Sequence, residues 1–208
     1  VMRKWLGECR LAQYEDGKIA NIAPRNNESG FFSKLLAGSV GWGDACIIVP
    51  YVLYQRYQDK RILEENYEMM QKWYAFLESR AKQKPMNPIK RLKRNPYRRY
   101  TIEKGIDYGE WCEPDVESTS AMRTPQGKVA TAYFARSGKM LSEIAEILGR
   151  HEDAKAFAKT AEGARKAFRH IAVSEGRIAS DRQAEYIRAI TFDLLEEEEK
   201  KQAAQDLN

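Results

Sequence analysis

An alternation between two kinds of helical segment is the feature that most constrains this fold. Residues 44–57 are apolar nearly all round, as in a helix buried on most sides, and two less extreme segments of this kind are 127–148 and 182–195. After a short turn, each is followed by a segment with one apolar stripe: 61–82, 152–171 and the segment that begins at Leu195. Residues 1–14 look like a further amphipathic helix without its buried partner. The pattern predicts an all-α fold made of helical pairs.

Two architectures are built from such pairs, an α/α toroid of inner and outer helices and a stacked helical repeat. The pairs share no residue-level repeat, and the loops between them are long and unequal: 15–43, 83–126 and 172–181. These loops favour the toroid, because long loops at one end of a ring can build a site. Pro50 is expected to bend or loosen the first buried helix unless it lies in the first turn. Short β-segments are predicted at 18–23 and 177–180, without an extended sheet.

Composition disfavours several classes of protein and of chemistry. A chain of 208 residues with 43% apolar residues is long and apolar enough to form a core. Its longest nearly unbroken apolar run, residues 45–54, is shorter than the roughly 18 residues of a membrane helix. Two histidines and three widely spaced cysteines form neither a zinc motif nor a disulfide framework. Carboxylates are therefore the expected agents of any catalysis, and no metal or cofactor is predicted.

The net charge of +5 comes from one segment. Residues 80–99 carry nine of the 35 basic residues and no acidic residue, so 26 basic residues remain against 30 acidic ones elsewhere. Tyrosines among these basic residues raise the hypothesis of a helical module that binds nucleic acid or another polyanion. Pro85, Pro88 and Pro96 break any continuous basic helix, and the rest of the chain is acidic, so this hypothesis is disfavoured.

A first candidate site is the sequence Gly41-Trp42-Gly43-Asp44, which leads into the most apolar helix. In one interpretation Asp44 is a helix N-cap and the glycines supply the geometry of a turn. In the other, an aromatic side chain between two glycines at the mouth of a buried helix forms a platform on which a sugar ring stacks. Asp44 by itself favours the first interpretation, and Trp42 shifts the balance toward the second.

A second candidate site is the loop 107–115, which places four carboxylates and two aromatic residues within nine positions. Such a loop is either a solvated acidic turn or part of a carbohydrate site. In a carbohydrate site, carboxylates bind hydroxyl groups or move protons, while an aromatic ring covers the apolar face of the sugar. The loop precedes another predicted inner helix, which fits the second alternative.

The motifs of the chain, taken in order, resemble those of the bacterial α-L-rhamnosidases, glycoside hydrolases whose catalytic domain is an (α/α)6 toroid. The resemblance begins at Gly41-Trp-Gly-Asp-Ala45, which runs into the apolar helix, and continues at Ile62-Leu-Glu-Glu-Asn-Tyr67. It extends through Asp107-Tyr-Gly-Glu-Trp111 and Ala130-Thr-Ala-Tyr-Phe-Ala135. No single motif decides it, but the ordered set spans most of the chain.

The resemblance implies that residues 1–208 are the middle part of an (α/α)6 catalytic domain, truncated at both ends, with residues 83–104 as a basic insertion loop that contains prolines. It implies hydrolysis of terminal α-L-rhamnosides with inversion, in which a carboxylic acid protonates the leaving oxygen and a carboxylate activates water. The acid and the base are both expected outside this chain, which should be inactive by itself. Its implied partners are a rhamnose-containing glycoside or polysaccharide and the remainder of the same domain, with neither nucleic acid nor a membrane.

The same resemblance makes five residues candidates for the sugar site. Trp42 and Trp111 are expected as stacking walls. Asp44, Asp107 and Glu110 are expected to bind sugar hydroxyls or to support the residues that bind them. In the alternative of another (α/α)6 exo-glycosidase, Asp107 and Glu110 would themselves be the acid and the base. Two residues only three apart in one loop rarely span a sugar, which disfavours that alternative.

Overall fold

A computed structural model describes residues 1–25, 30–83, 95–109 and 126–207. In chain order its elements are α1 (Met2–Ala12), α2 (Phe31–Leu36), α3 (Ala45–Tyr57), α4 (Arg61–Glu64), α5 (Tyr67–Ala81), a 3-10 turn (Arg98–Tyr100), α6 (Gly127–Ile147), α7 (His151–Ala172), β1 (Val173–Ser174), β2 (Arg177–Ile178), α8 (Gln183–Thr191) and α9 (Glu197–Asp206). The prediction of an all-α fold is confirmed. None of the described helices is long and apolar enough to cross a membrane.

The helical hairpin of α6 and α7 is the longest unit, and its bounds agree with the two segments that periodicity predicts there. Gly149 ends the first helix with a φ of 73°, a left-handed conformation that glycine adopts without strain. Alanines on the buried face of α7 allow the two helices to approach closely: Ala154, Ala161, Ala164 and Ala167. The hairpin therefore provides a long surface against which other helices pack.

Helix α5 packs on this hairpin through large aromatic side chains. Trp73, Tyr74 and Phe134 are almost completely buried. The Tyr74 ring lies 5.2 Å from the Phe134 ring and 5.5 Å, edge to face, from the Phe157 ring. Such tilted and edge-to-face contacts are the favoured geometries of aromatic pairs, so the core is anchored where α5, α6 and α7 meet.

The single amphipathic helix predicted over 61–82 is wrong in one respect, because the segment forms two helices, α4 and α5. The break lies at Asn66, whose amide nitrogen donates to the Ile62 carbonyl at 2.7 Å. The same side chain accepts a hydrogen bond from Arg10 of α1 at 2.6 Å. A local side-chain bond to the backbone competes with the helical ladder, and here a tertiary contact holds it in place.

Two of the helices predicted to be buried are half-exposed. In α3, Val52 is 50% exposed and Tyr57 72% exposed, and in α8 Ile187 is 45% exposed. Each helix packs its remaining face on the described part of the chain, and Pro50 is buried within α3. A helix that is apolar all round therefore has two apolar faces. In α3 and α8 the described residues cover only one of them.

The β predictions are half correct. Residues 18–23 form no strand and instead make loop contacts, in one of which Gly38 donates to the Ile19 carbonyl at 3.1 Å. The second prediction is confirmed by the two-residue pairing of β1 and β2, in which Val173 lies opposite Ile178. This small hairpin turns the chain from α7 toward α8.

The start of α9 is acidic, with Glu196 at the N-cap and three further glutamates in the first turn. Glu196 and Glu199 form a capping box that satisfies the free amides of the first turn. The same two carboxylates bind α7, with Arg169 donating to Glu199 at 2.9 Å and 2.8 Å and to Glu196 at 2.7 Å. Acidic residues in the first turn therefore cap α9 and also fasten it to α7.

The close packing of α5 on α6 predicts opposite effects for two helical glycines. At Gly138 of α6 an added Cβ would lie 2.1 Å from the Tyr74 hydroxyl oxygen, whereas at Gly7 of α1 the nearest atom is a flexible Arg10 nitrogen at 3.7 Å. Gly138→Ala should lower the free energy of unfolding by about 1–3 kcal/mol through overpacking. Gly7→Ala, the matched control, should raise it by up to about 1 kcal/mol. Urea unfolding measures both, and equal effects would contradict the packing described.

Candidate functional site

Three of the five predicted site residues, Trp42, Asp44 and Asp107, lie in the described part of the chain. The other two, Glu110 and Trp111, lie outside the described residues. The three described residues belong to two loops, 37–44 before α3 and 101–109 before α6, that are held together by buried polar contacts. The site can therefore be built from these two loops.

Asp44 is fully buried at the start of α3, and its carboxylate accepts three hydrogen bonds. The donors are the Gly41 amide at 2.7 Å, the Trp73 indole nitrogen at 3.1 Å and the Ser137 hydroxyl. Although Asp44 occupies the N-cap position of α3, its side chain makes no capping bond to the helix. It instead ties the Gly41–Asp44 turn to α5 and α6, and burial raises its pKa above the ordinary aspartate value.

Each of the two glycines in this turn is needed for a different physical reason. Gly41 has a φ of 90°, which a residue with a side chain rarely adopts. Gly43 lies against the buried indole of Trp73, where an added Cβ would come within 2.4 Å of the ring. The close approach lets Trp73 reach the Asp44 carboxylate. Turn geometry was predicted for these glycines, whereas the contact with Trp73 follows only from the packing of α5.

Asp107 is buried and forms a bidentate ion pair with Arg80, which is equally buried. The Nη1 and Nη2 atoms of Arg80 donate to Oδ1 and Oδ2 of Asp107 at 2.9 Å and 2.7 Å. Oδ1 also accepts from the backbone amide of Val40 at 2.8 Å. Buried ion pairs that keep good geometry and extra hydrogen bonds are costly to break from one side, so this pair fixes both loops.

Trp42 and Tyr108 meet on the outer side of this pair, and we call them the aromatic wall. Their ring centroids lie 4.8 Å apart at an interplanar angle of 54°, with Trp42 48% exposed and Tyr108 buried. The Tyr108 amide donates to Ser39 Oγ at 3.0 Å, and its hydroxyl accepts from Asn21 at 2.8 Å. The wall thus carries a half-exposed indole next to a tyrosine that hydrogen bonds hold in place.

Arg80 is the functional residue that sequence reasoning missed. It was counted in the basic segment 80–99, but it lies in the interior and neutralises a buried carboxylate. A signal was present, because Arg80 follows Trp73 and Leu77 at helical spacing on the apolar stripe of α5. A charged residue on an apolar stripe indicates a buried partner.

The described residues hold no cluster of three potential metal ligands. Cys9 and Cys46 are free, buried thiols. Burial raises the pKa of Cys9 to about 11 and raises that of Cys46 as well, so neither thiol is activated as a nucleophile. The described parts of the two loops offer a half-exposed aromatic ring and backbone groups that buried carboxylates hold in place.

The family model of the bacterial alpha-L-rhamnosidase six-hairpin glycosidase domain matches residues 1–208, the whole chain. The chain belongs to this family. The resemblance read from its ordered motifs is thereby confirmed, and so is the fold class, part of an (α/α)6 toroid and not a stacked helical repeat.

Relatives with curated names agree with this assignment. The chain is 31% identical over 206 residues to an alpha-L-rhamnosidase of Formosa agariphila, covering 98% of this chain and 20% of that protein. It is 30% identical over 207 residues to an alpha-L-rhamnosidase of Streptomyces avermitilis, covering 99% of this chain and 17% of that protein. The chain thus spans about a fifth of the length of these relatives.

Solved structures show the same fold. The Streptomyces avermitilis alpha-L-rhamnosidase complexed with L-rhamnose matches with a TM-score of 0.76 and 29% identity, over 99% of this chain and 17% of that chain. The alpha-L-rhamnosidase of Dictyoglumus thermophilum matches with a TM-score of 0.77 and 27% identity, over 99% of this chain and 21% of that chain.

The buried Asp44 carboxylate predicts a stability change that depends on pH. The Ser137 hydroxyl favours the ionised form of Asp44, so Ser137→Ala should raise the pKa of Asp44 further and lower the free energy of unfolding by about 1–3 kcal/mol at neutral pH. This loss should shrink as pH falls through the raised pKa, because the carboxyl is then protonated in the folded state of both proteins.

The matched control is Ser142→Ala on the same helix. Ser142 donates to the neutral Ala154 carbonyl at 2.9 Å, so its loss should be about 1 kcal/mol and independent of pH. Urea unfolding from acidic to neutral pH compares the two variants. Parallel pH profiles for both would contradict the assigned role of the Ser137 bond.

Proposed function

We propose that this chain is part of the catalytic domain of an inverting α-L-rhamnosidase, which hydrolyses terminal α-L-rhamnosyl residues. The observation that carries the proposal is the family match over the whole chain. The likeness to a rhamnosidase structure with bound L-rhamnose supports it. The domain to which the chain contributes would be completed by further helices.

Inverting hydrolysis requires a carboxylic acid on one side of the glycosidic bond and a carboxylate that activates water on the other, about 6.5–9.5 Å apart. Asp44 and Asp107 do not suit either role, because both are buried and their oxygens already accept hydrogen bonds. This favours the supporting role for both residues over direct contact with sugar hydroxyls. The acid and the base would then lie elsewhere in the completed domain.

The aromatic wall is the proposed contact with substrate in this chain. Rhamnose is a 6-deoxy sugar, and its methyl group and ring C–H groups give it an apolar face that can lie on an indole ring. Trp42 carries a half-exposed indole ring that contacts Tyr108 of the Asp107 loop. Glu110 and Trp111 follow Tyr108 within three positions of sequence, and they remain proposed members of the same site.

The remainder of the domain is the second proposed partner. The exposed faces of α3 and α8 carry the large apolar side chains of Val52, Tyr57 and Ile187. In a toroid, side chains of this kind face the interior of the ring. Contact with the remaining helices of the ring would cover them. The hypothesis that segment 80–99 binds a polyanion loses support, because Arg80 of that segment is buried in an ion pair with Asp107.

The substrate proposal predicts activity on an aryl α-L-rhamnoside. The complete polypeptide that carries this segment should release the aryl alcohol, and an aryl β-glucoside of the same alcohol is the matched control substrate. The 208-residue chain assayed by itself should show no hydrolysis, since the acid and the base are absent from it. Activity of the complete polypeptide on the glucoside alone would refute the sugar assignment, and full activity of the short chain would refute the position of the acid and base.

The aromatic wall predicts a specific loss of substrate affinity. In the complete polypeptide, Trp42→Ala should raise KM for the aryl rhamnoside about fivefold, because an aromatic contact of this kind contributes about 1 kcal/mol. Trp42→Phe should retain part of the affinity. Tyr57→Ala removes an aromatic side chain at the far end of α3, on the face proposed to pack against the rest of the domain, and serves as the control for lost packing, with KM unchanged. Equal KM values for all three variants would remove Trp42 from the site.

A further inference from the structure

Arg80 does not belong to the aromatic wall, but its contacts lead to it. We propose that Arg80 is a positioning residue, whose buried guanidinium joins the loops that carry Trp42 and Tyr108 and so fixes the orientation of the wall. The effect on substrate rests on the proposed function. The coupling between Arg80 and Trp42 rests only on the contacts described here.

All three guanidinium nitrogens of Arg80 are used, and they reach both loops. Besides the two bonds to Asp107, Nη1 donates to the Gly38 carbonyl at 3.3 Å, on the loop before α3. Nε donates to the Lys104 carbonyl at 2.9 Å, on the loop before α6, and Nη2 donates to the same carbonyl. One side chain of α5 therefore holds two segments that are more than sixty positions apart in the chain.

From this junction, two hydrogen bonds lead to the wall. Asp107 accepts from the Val40 amide at 2.8 Å, two residues before Trp42. Ser39 accepts from the Tyr108 amide at 3.0 Å, directly after Asp107. The two loops are thus bonded to each other within three residues of Trp42 and at Tyr108 itself. The ring centroids of Trp42 and Tyr108 lie 4.8 Å apart. A shift of the guanidinium would move both rings.

The site is shaped for arginine. The loop crosses the guanidinium at Gly105, which has a φ of 116° and where an added Cβ would lie 2.1 Å from Nη2. A planar fork can serve a bidentate carboxylate and two carbonyls at once, whereas the single ammonium of lysine cannot reproduce this geometry. Arg80→Lys therefore keeps the charge and removes the positioning.

The first test uses the 208-residue chain labelled with 5-fluorotryptophan, and the signals of Trp42 and Trp5 are assigned by single Phe substitutions. In Arg80→Lys the fluorine resonance of Trp42 should shift and broaden, while that of Trp5, on α1, stays in place. Arg61→Lys is the control, because it makes the same exchange in an exposed ion pair with Asp59. A Trp42 resonance that is unchanged in folded Arg80→Lys overturns the proposal.

Ser39→Ala tests the same connection if Arg80→Lys does not fold. It removes the acceptor of the Tyr108 amide and leaves the ion pair intact, so the Trp42 resonance should shift by a smaller amount. An unchanged Trp42 resonance in this variant would also overturn the proposal. A loss of stability without a local shift is the result that a merely structural role would give.

The second test separates positioning from general damage by a double-mutant cycle. In the complete polypeptide, Arg80→Lys should raise KM for an aryl rhamnoside by up to about fivefold and change kcat less, as loss of the wall itself would do. In a Trp42→Ala background the same substitution should raise KM no further. An equal rise in both backgrounds overturns the proposal. If Trp42→Ala leaves KM unchanged, the proposed function of the wall fails, and the fluorine resonance still decides the coupling.

Discussion

In the described part of the chain two carboxylates are buried, Asp44 and Asp107, and the rest of the candidate site depends on how they are satisfied. A buried charge is tolerated only when hydrogen bonds or an opposite charge replace the lost water. Asp44 meets this requirement with donors from its own turn and from α5 and α6, and Asp107 meets it with Arg80 and a backbone amide. Because those donors belong to different elements, satisfying the carboxylates also fixes the loops.

This arrangement separates support from recognition. The carboxylates of Asp44 and Asp107 are buried, whereas the neutral indole of Trp42 is half-exposed. A recognition surface held on a rigid base loses little conformational entropy when a ligand binds. In a member of the six-hairpin rhamnosidase family, such a rigid support would keep one wall of a sugar site in place while the catalytic acid and the catalytic base act from other parts of the domain.

Much of the fold could be predicted from the sequence, and less of the site. The α6–α7 hairpin follows from periodicity alone, whereas the sequence predicted Asp44 and Asp107 only as residues that bind sugar hydroxyls or support those that do, and did not identify their buried partners. The break at Asn66 could not be predicted, because it depends on a contact with Arg10 of α1. The role of Arg80 was also missed. Its position in the basic segment 80–99 suggested an exposed side chain, although its place on the apolar stripe of α5 indicated a buried one.

The sequence by itself determined the order and approximate position of the longer helices, since the spacing of apolar residues along a few turns is a local property. The motifs in their order also determined the family. Tertiary structure alone decided which polar groups meet: Asp44 bonds to Ser137, 93 positions away, and Arg80 to Asp107, 27 positions away. Such pairings depend on how helices pack and on which groups packing removes from water, and neither is encoded in any short stretch of residues.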